Sequence, residues 1–357
     1  VLNYYKKVQS LATVTVISNV LRVSAIFVAV QFYYNLEYVF WALLAVAVVD
    51  FALFLSMSPS SIFKGKLDRK LVYAQLKLGL PLSMSGVAGM LLIQTDGIMI
   101  SSMLDTSQYA RYRMGAIPIP FLFLIFSSVI TVTMAEVTNL YGEKRIEAII
   151  DIKRKASTAM AALIYPTLIF VLIFSEEFVS LYFGHNYLES QWVFVIYNFL
   201  LFLRINDYRD VLILAGETKK ILIADLSVFV LNVALNYVMI LNFGMEGAAI
   251  ASILSFYCLS AILSLQTKRL LQIPFFSFFR LKKLLALVLL SLILALGFHQ
   301  FYLLMQEPML LIICVPLYFA AVYFLILRLK IVPKEGLLRF TEKNKMLAPI
   351  HSILSKL

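Results

Sequence analysis

Apolar side chains along this chain fall into continuous runs about twenty residues long, separated by short polar connections. A run of that length matches the ~30 Å hydrocarbon core crossed by a helix rising ~1.5 Å per residue. The alternation of polar and apolar residues that marks barrel strands is absent from these runs. Ten spans are read, over residues 11–32, 38–55, 78–103, 116–139, 156–174, 191–214, 221–241, 247–265, 284–304 and 309–327. The pattern therefore predicts an all-α integral membrane protein, a polytopic bundle of about ten transmembrane helices.

Composition removes the alternatives. With 62% hydrophobic and 14% charged residues in a chain of 357, too little polar surface is left to coat a water-facing globule. The 2 Cys, Cys258 and Cys314, each sit inside an apolar run, so neither a disulfide framework nor a zinc site is supported.

The net charge of +11 changes the picture only through its placement. Of the 31 Lys and Arg, 26 fall in one alternate set of connections, among them Lys6 and Lys7, Lys64 to Lys77, Lys144 to Lys155, Lys219 and Lys220, Lys268 to Lys283, and the stretch from Arg328 onward. The opposite set holds only Arg111 and Arg113, and Arg22, Arg204 and Arg209 lie inside spans. The positive-inside rule turns this asymmetry into an orientation with both ends cytoplasmic. The charge is thus topological, and nucleic acid is not an expected partner.

The division expected from these features runs as follows: 1–56, two helices closing a first lobe; 57–77, a cytoplasmic linker; 78–266, a six-helix second lobe; 267–283, an interfacial connector; 284–328, two further helices; 329–357, a basic tail. A weak internal repeat supports two lobes. The pair Lys6-Lys7 followed by Asn19 recurs as Lys219-Lys220 followed by Asn232, 213 residues on, as in transporters built from parallel repeats. On that register four spans precede the chain.

Charges inside spans are costly, about 2.5–3.5 kcal/mol each at a helix centre on insertion scales, so each needs an account. Arg22 is too deep to snorkel and is expected to face a cavity or an acidic partner, for which Asp50 in the next span is the candidate. Asp96, within Gln94-Thr95-Asp96-Gly97, is either a cation or proton site or a bundle hydrogen-bonding residue. The sixth span carries Arg204, Asn206, Asp207, Arg209 and Asp210; i,i+3 spacing suggests pairing along one helix, with Arg209 and Asp210 near the solvated end. Asp225 is placed at the interface, and Asn232 and Asn236, i,i+4, are read as helix bridges. His185, His299 and His351 have no metal-ligand spacing.

No Gly-rich phosphate loop, GxSxG or HExxH is present. The residues do resemble a family. Leu76-Lys77-Leu78-Gly79-Leu80-Pro81-Leu82 leading to Gln94-Thr95-Asp96-Gly97, then Leu181-Tyr182-Phe183-Gly184, Leu214-Ala215-Gly216-Glu217-Thr218, and Leu231-Asn232-Val233-Ala234-Leu235-Asn236 with Phe243-Gly244-Met245-Glu246-Gly247, resemble Wzx-type polysaccharide flippases of the multidrug/oligosaccharidyl-lipid/polysaccharide exporter superfamily. The chain departs from that pattern at Tyr109-Ala110-Arg111-Tyr112-Arg113 and at Ala135-Glu136.

The resemblance implies a two-lobed transporter, not an enzyme, whose last ten of fourteen spans are seen here. It implies alternating-access movement of an undecaprenyl-diphosphate-linked oligosaccharide for O-antigen, capsule or exopolysaccharide synthesis, with polysaccharide polymerase and glycosyltransferases as candidate partners. Arg22, Arg113 and Arg204, with Asn206 and Asp207, are the implied substrate contacts. Asp96 and Asp50 are the cavity acids, with H+ or Na+ as the candidate coupling ion and no other cofactor. A cation-coupled multidrug exporter or a lipid II flippase is the alternative within the fold, and a membrane polysaccharide polymerase or ligase the alternative outside it.

Overall fold

A computed structural model describes residues 8–33, 36–57, 68–119, 122–274, 276–305 and 310–331. Every regular element among them is helical: α1 (Val8–Tyr33), α2 (Leu36–Met57), α3 (Arg69–Met103), α4 (Thr106–Gly115), α5 (Leu122–Gly142), α6 (Ile146–Ile173), α7 (Ser175–Phe183), α8 (Gln191–Asn198), α9 (Arg209–Leu214), α10 (Thr218–Leu271), α11 (Leu281–Met305) and α12 (Leu310–Arg328), with 3-10 turns at His185–Ser190 and Phe199–Ile205. Each of the ten apolar runs is helical over most of its length. Five segments among the described residues are long and apolar enough to cross a membrane, α10 being one of them although it carries two runs. Lys6, Lys7, Lys64, Lys66, His351 and the tail from residue 332 lie outside the described residues.

The chain divides into two compact units, residues 1–73 and 74–357. In the first, α1 and α2 pair along their lengths. Large apolar side chains such as Phe27, Trp41 and Phe51 are left exposed, as expected where lipid rather than water is the solvent.

In the second unit the core is built around α6, whose Ile164, Leu168 and Ala161 are fully buried against α11 and α12. Lipid is as apolar as leucine, so such burial stabilises through packing and hydrogen bonds rather than water exclusion. Tyr318 on α12 supplies one such bond, its hydroxyl donating to the Pro166 carbonyl at 3.0 Å.

Two local breaks set the positions of everything that follows. In α10, Gly244 has φ 60° and ψ −137°, a conformation open to glycine, and the chain reverses there into two arms. Gly247 lies so close to the carbonyl of Met239 that a Cβ would collide with it. Eleven to twelve residues from the reversal, Asn232 Nδ2 on one arm donates to Ser255 Oγ on the other at 3.2 Å.

The second break corrects the sixth span. Residues 191–214 are not one helix but α8, a 3-10 turn, an extended Asn206 (φ −146°, ψ 149°) and α9. A broken helix in a bilayer frees backbone carbonyls that must find donors. Here side chains supply them. Tyr257 donates to Phe199 O, Tyr165 to Phe202 O, Lys153 to Asp207 O and Thr267 to Tyr208 O, at 3.2, 3.3, 2.6 and 3.1 Å. The i,i+3 pairing expected within this span therefore does not form.

Candidate functional site

Asp105 starts the site from the surface. Its carboxylate accepts the Gln108 backbone N–H at 2.8 Å and so caps α4, and this hydrogen bond holds its pKa below the usual carboxylate value. Consecutive helical residues point about 100° apart, so Tyr112 and Arg113 near the end of α4 diverge. Tyr112 is buried and donates its hydroxyl to Asp96 Oδ2 at 2.6 Å. Arg113 instead lines a cavity of about 350 Å³, together with Arg204 from the 3-10 turn before the break, Tyr197 and Asn198 of α8, Phe126 of α5 and Ile93 of α3.

Neither arginine has an ion pair or hydrogen bond among the described residues. Arg204 lies over the Phe126 ring, 5.2 Å from its centroid, a cation–π contact that leaves the guanidinium donors uncommitted. Two cations without anions in one cavity form a site for an anion carrying more than one charge. Oxygen-rich groups such as phosphates match guanidinium geometry.

Next to the cavity, one turn along α3 from Ile93, lies a closed polar core. Besides Tyr112, Asp96 accepts from Ser252 Oγ at 2.5 Å and from Asn236 Nδ2 at 2.9 Å. The side-chain amide oxygens of Asn232 and Asn236 are buried without a partner among the described residues. The groups that face the carboxylate are all N–H or O–H donors, Asn236 turning its Nδ2 rather than its oxygen toward it. Asn232 and Asn236 thus bridge helices as expected.

Other predicted residues are placed elsewhere. Asn206 and Asp207 do not line the cavity. Asn206 Nδ2 is buried and unpartnered at the break, and Asp207 Oδ1 accepts the Arg209 backbone N–H at 3.0 Å. Arg209 and Asp210, expected near solvent, are paired instead. Arg209 forks onto Asp225 at 2.9 and 2.5 Å, and Asp225 also accepts from Ser85; Asp225, expected at the interface, is buried. Asp210 meets Lys153 at 2.6 Å, and the Lys153 ammonium also lies over the Phe278 ring at 5.4 Å. In the first unit Arg22 pairs with Asp50 at 3.4 Å, as anticipated, although Arg22 is about half exposed.

Sequence reasoning missed Lys153, Tyr112 and Ser252. Lys153 was counted with the loop cations because the apolar run starts at 156, whereas α6 begins ten residues earlier and takes Lys153 inside. For Tyr112 and Ser252 the signal was faint: an aromatic beside a charge, and a hydroxyl in a small-residue helix facing a polar one.

With this geometry in place, the chain can be compared with known proteins. The family model described as "Polysaccharide biosynthesis protein" matches residues 3–191, more than half of the chain. The chain belongs to the polysaccharide biosynthesis protein family. That membership agrees with the motifs that resemble the polysaccharide flippases of the exporter superfamily. A relative named "Probable low-salt glycan biosynthesis flippase Agl15" from Haloferax volcanii is 26% identical over 260 residues, covering 70% of this chain and 53% of the relative. The chain thus spans about half the length of that protein. A solved structure titled "Lipid II flippase MurJ, inward closed conformation" superposes with a TM-score of 0.55 at 19% identity, over 87% of this chain and 66% of that one. That likeness carries the fold alone: an all-α multi-pass membrane bundle.

Proposed function

We propose that this family member takes part in moving a prenyl-diphosphate-linked glycan, of the undecaprenyl type, across the cytoplasmic membrane by alternating access. One observation carries the reading: Arg113 and Arg204 converge on a single cavity whose lining includes no carboxylate. A diphosphate supplies that anion, and the 350 Å³ space is on the scale of a headgroup. The names of the two similar proteins, a glycan flippase and a lipid II flippase, support a lipid-linked glycan as the class of cargo.

The coupling ion is proposed at Asp96. Tyr112 and Arg113 are neighbours on α4, so whatever changes the charge or coordination at Asp96 acts on the helix that presents Arg113 to the cavity. H+ fits the carboxylate as it stands, and Na+ requires the Asn236 amide to turn its oxygen toward Asp96. The asymmetry of the basic connections supports an orientation with both ends of the chain facing the cytoplasm.

The test is made in cells with the gene deleted. Undecaprenyl-linked repeat units should accumulate on the cytoplasmic face, and the R113A/R204A variant should fail to relieve this while inserting at normal levels. Relief by the double variant equal to wild type would remove the two arginines from the reading.

A further inference from the structure

A second space opens on α11, away from the arginine cavity. It is an open groove of about 380 Å³ between the first two turns of α11, Tyr165 of α6 and Phe202 of the 3-10 turn. Leu281, Leu284, Leu285 and Val288 fall at i, i+3, i+4 and i+7, so they form one stripe about two turns, or ~10 Å, long. The groove shares no lining residue with the arginine cavity. Tyr165 and Phe202 line the groove while their chain neighbours Ile164 and Leu201 line the arginine cavity, and the Tyr165 hydroxyl donates to the Phe202 carbonyl.

One lining residue is charged. Lys282 sits at the start of α11, exposed, with no hydrogen bond or ion pair among the described residues. Its neighbours are committed: Lys283 donates to the carbonyls of Lys330 and Ile331, and Arg280 faces Asp151 at 3.6 Å. An apolar trough on a membrane-spanning helix is filled by lipid chains. A trough with a free ammonium at the end where the helix leaves the bilayer adds a contact for a lipid phosphate.

We propose that this groove binds an anionic glycerophospholipid, one acyl chain lying along Leu281 to Val288 and the phosphate at Lys282. The occupant is a bilayer lipid rather than the cargo, because a lipid whose phosphate sat at Arg113 and Arg204 would have to pass the Tyr165–Phe202 wall. The lipid packs on the back of the same 3-10 turn whose front presents Arg204, so it supports that turn from the membrane side. The inference does not depend on what the arginine cavity carries.

Native mass spectrometry of the protein released from vesicles of phosphatidylglycerol and phosphatidylcholine in equal parts tests it. One phosphatidylglycerol per chain should be retained in preference. Lys282→Gln should lower that preference about fivefold, the scale of one interfacial cation. Leu285→Trp, at an exposed position that fills the trough, should remove retention of both lipids. Unchanged melting temperatures show that both variants are folded. Equal retention of the two lipids by wild type, or retention unaffected by either substitution, overturns the proposal. So does one-for-one displacement of phosphatidylglycerol by added undecaprenyl diphosphate, which would make the groove part of the cargo path.

Discussion

Lys153 and Arg204 lie on either side of the same backbone break, both inside the bundle, and the protein treats them oppositely. Lys153 has the Asp210 carboxylate, the Asp207 carbonyl and the face of Phe278, and is 2% exposed. Arg204 has one ring and an open cavity. The ammonium that is fully partnered holds the broken span together. The guanidinium whose donors are left over has capacity for something that is not part of the chain. A buried charge therefore reads as structure or as site according to its partners rather than its depth.

The largest effect that could break this comparison is a matched pair of substitutions. Lys153→Met strands Asp210 and a buried carbonyl, and should lower stability by about 3–5 kcal/mol. Arg204→Met, which strands nothing, should stay within about 0.5 kcal/mol. Thermal unfolding in one detergent measures both, and equal losses would abolish the distinction.

A middle-sized effect extends the comparison to Asp96. Its loss in Asp96→Ala leaves the donors of Tyr112, Ser252 and Asn236 facing each other, for a cost of about 1–3 kcal/mol. The same substitution should abolish any stabilisation by Na+ seen in the wild-type melting curve.

The smallest effect is on the surface, where pairing is cheap to lose. Asp105 has its pKa lowered by the Gln108 N–H, so its capping contribution is complete above the ordinary carboxylate pKa of about 3.9 and is lost as pH falls through the lower folded value. Protection factors for hydrogen exchange at Gln108 and Tyr109 should fall below about pH 4, and Asp105→Ala should lower them at neutral pH.

Much of the fold was legible because insertion into lipid demands unbroken apolar length, which a linear pattern records directly. Arg204 and Asp96 stood out for the same reason, as charges where charge is expensive. The break at Asn206 was not legible, since Arg204, Asp207 and Asp210 at i,i+3 satisfy a helix on paper. The partners that form instead, Lys153 for Asp210 and Asp225 for Arg209, are 57 and 16 residues away in sequence and visible only once folded. Arg113 was named on family likeness, yet only the turn of α4 shows why it enters the cavity while Tyr112 does not.

The reversal at Gly244 has a mechanical meaning. With Gly247 pressed on the Met239 carbonyl and Asn232 tied to Ser255, the two arms of α10 are fastened both at the turn and half-way along, so one glycine converts a 54-residue helical segment into a braced pair.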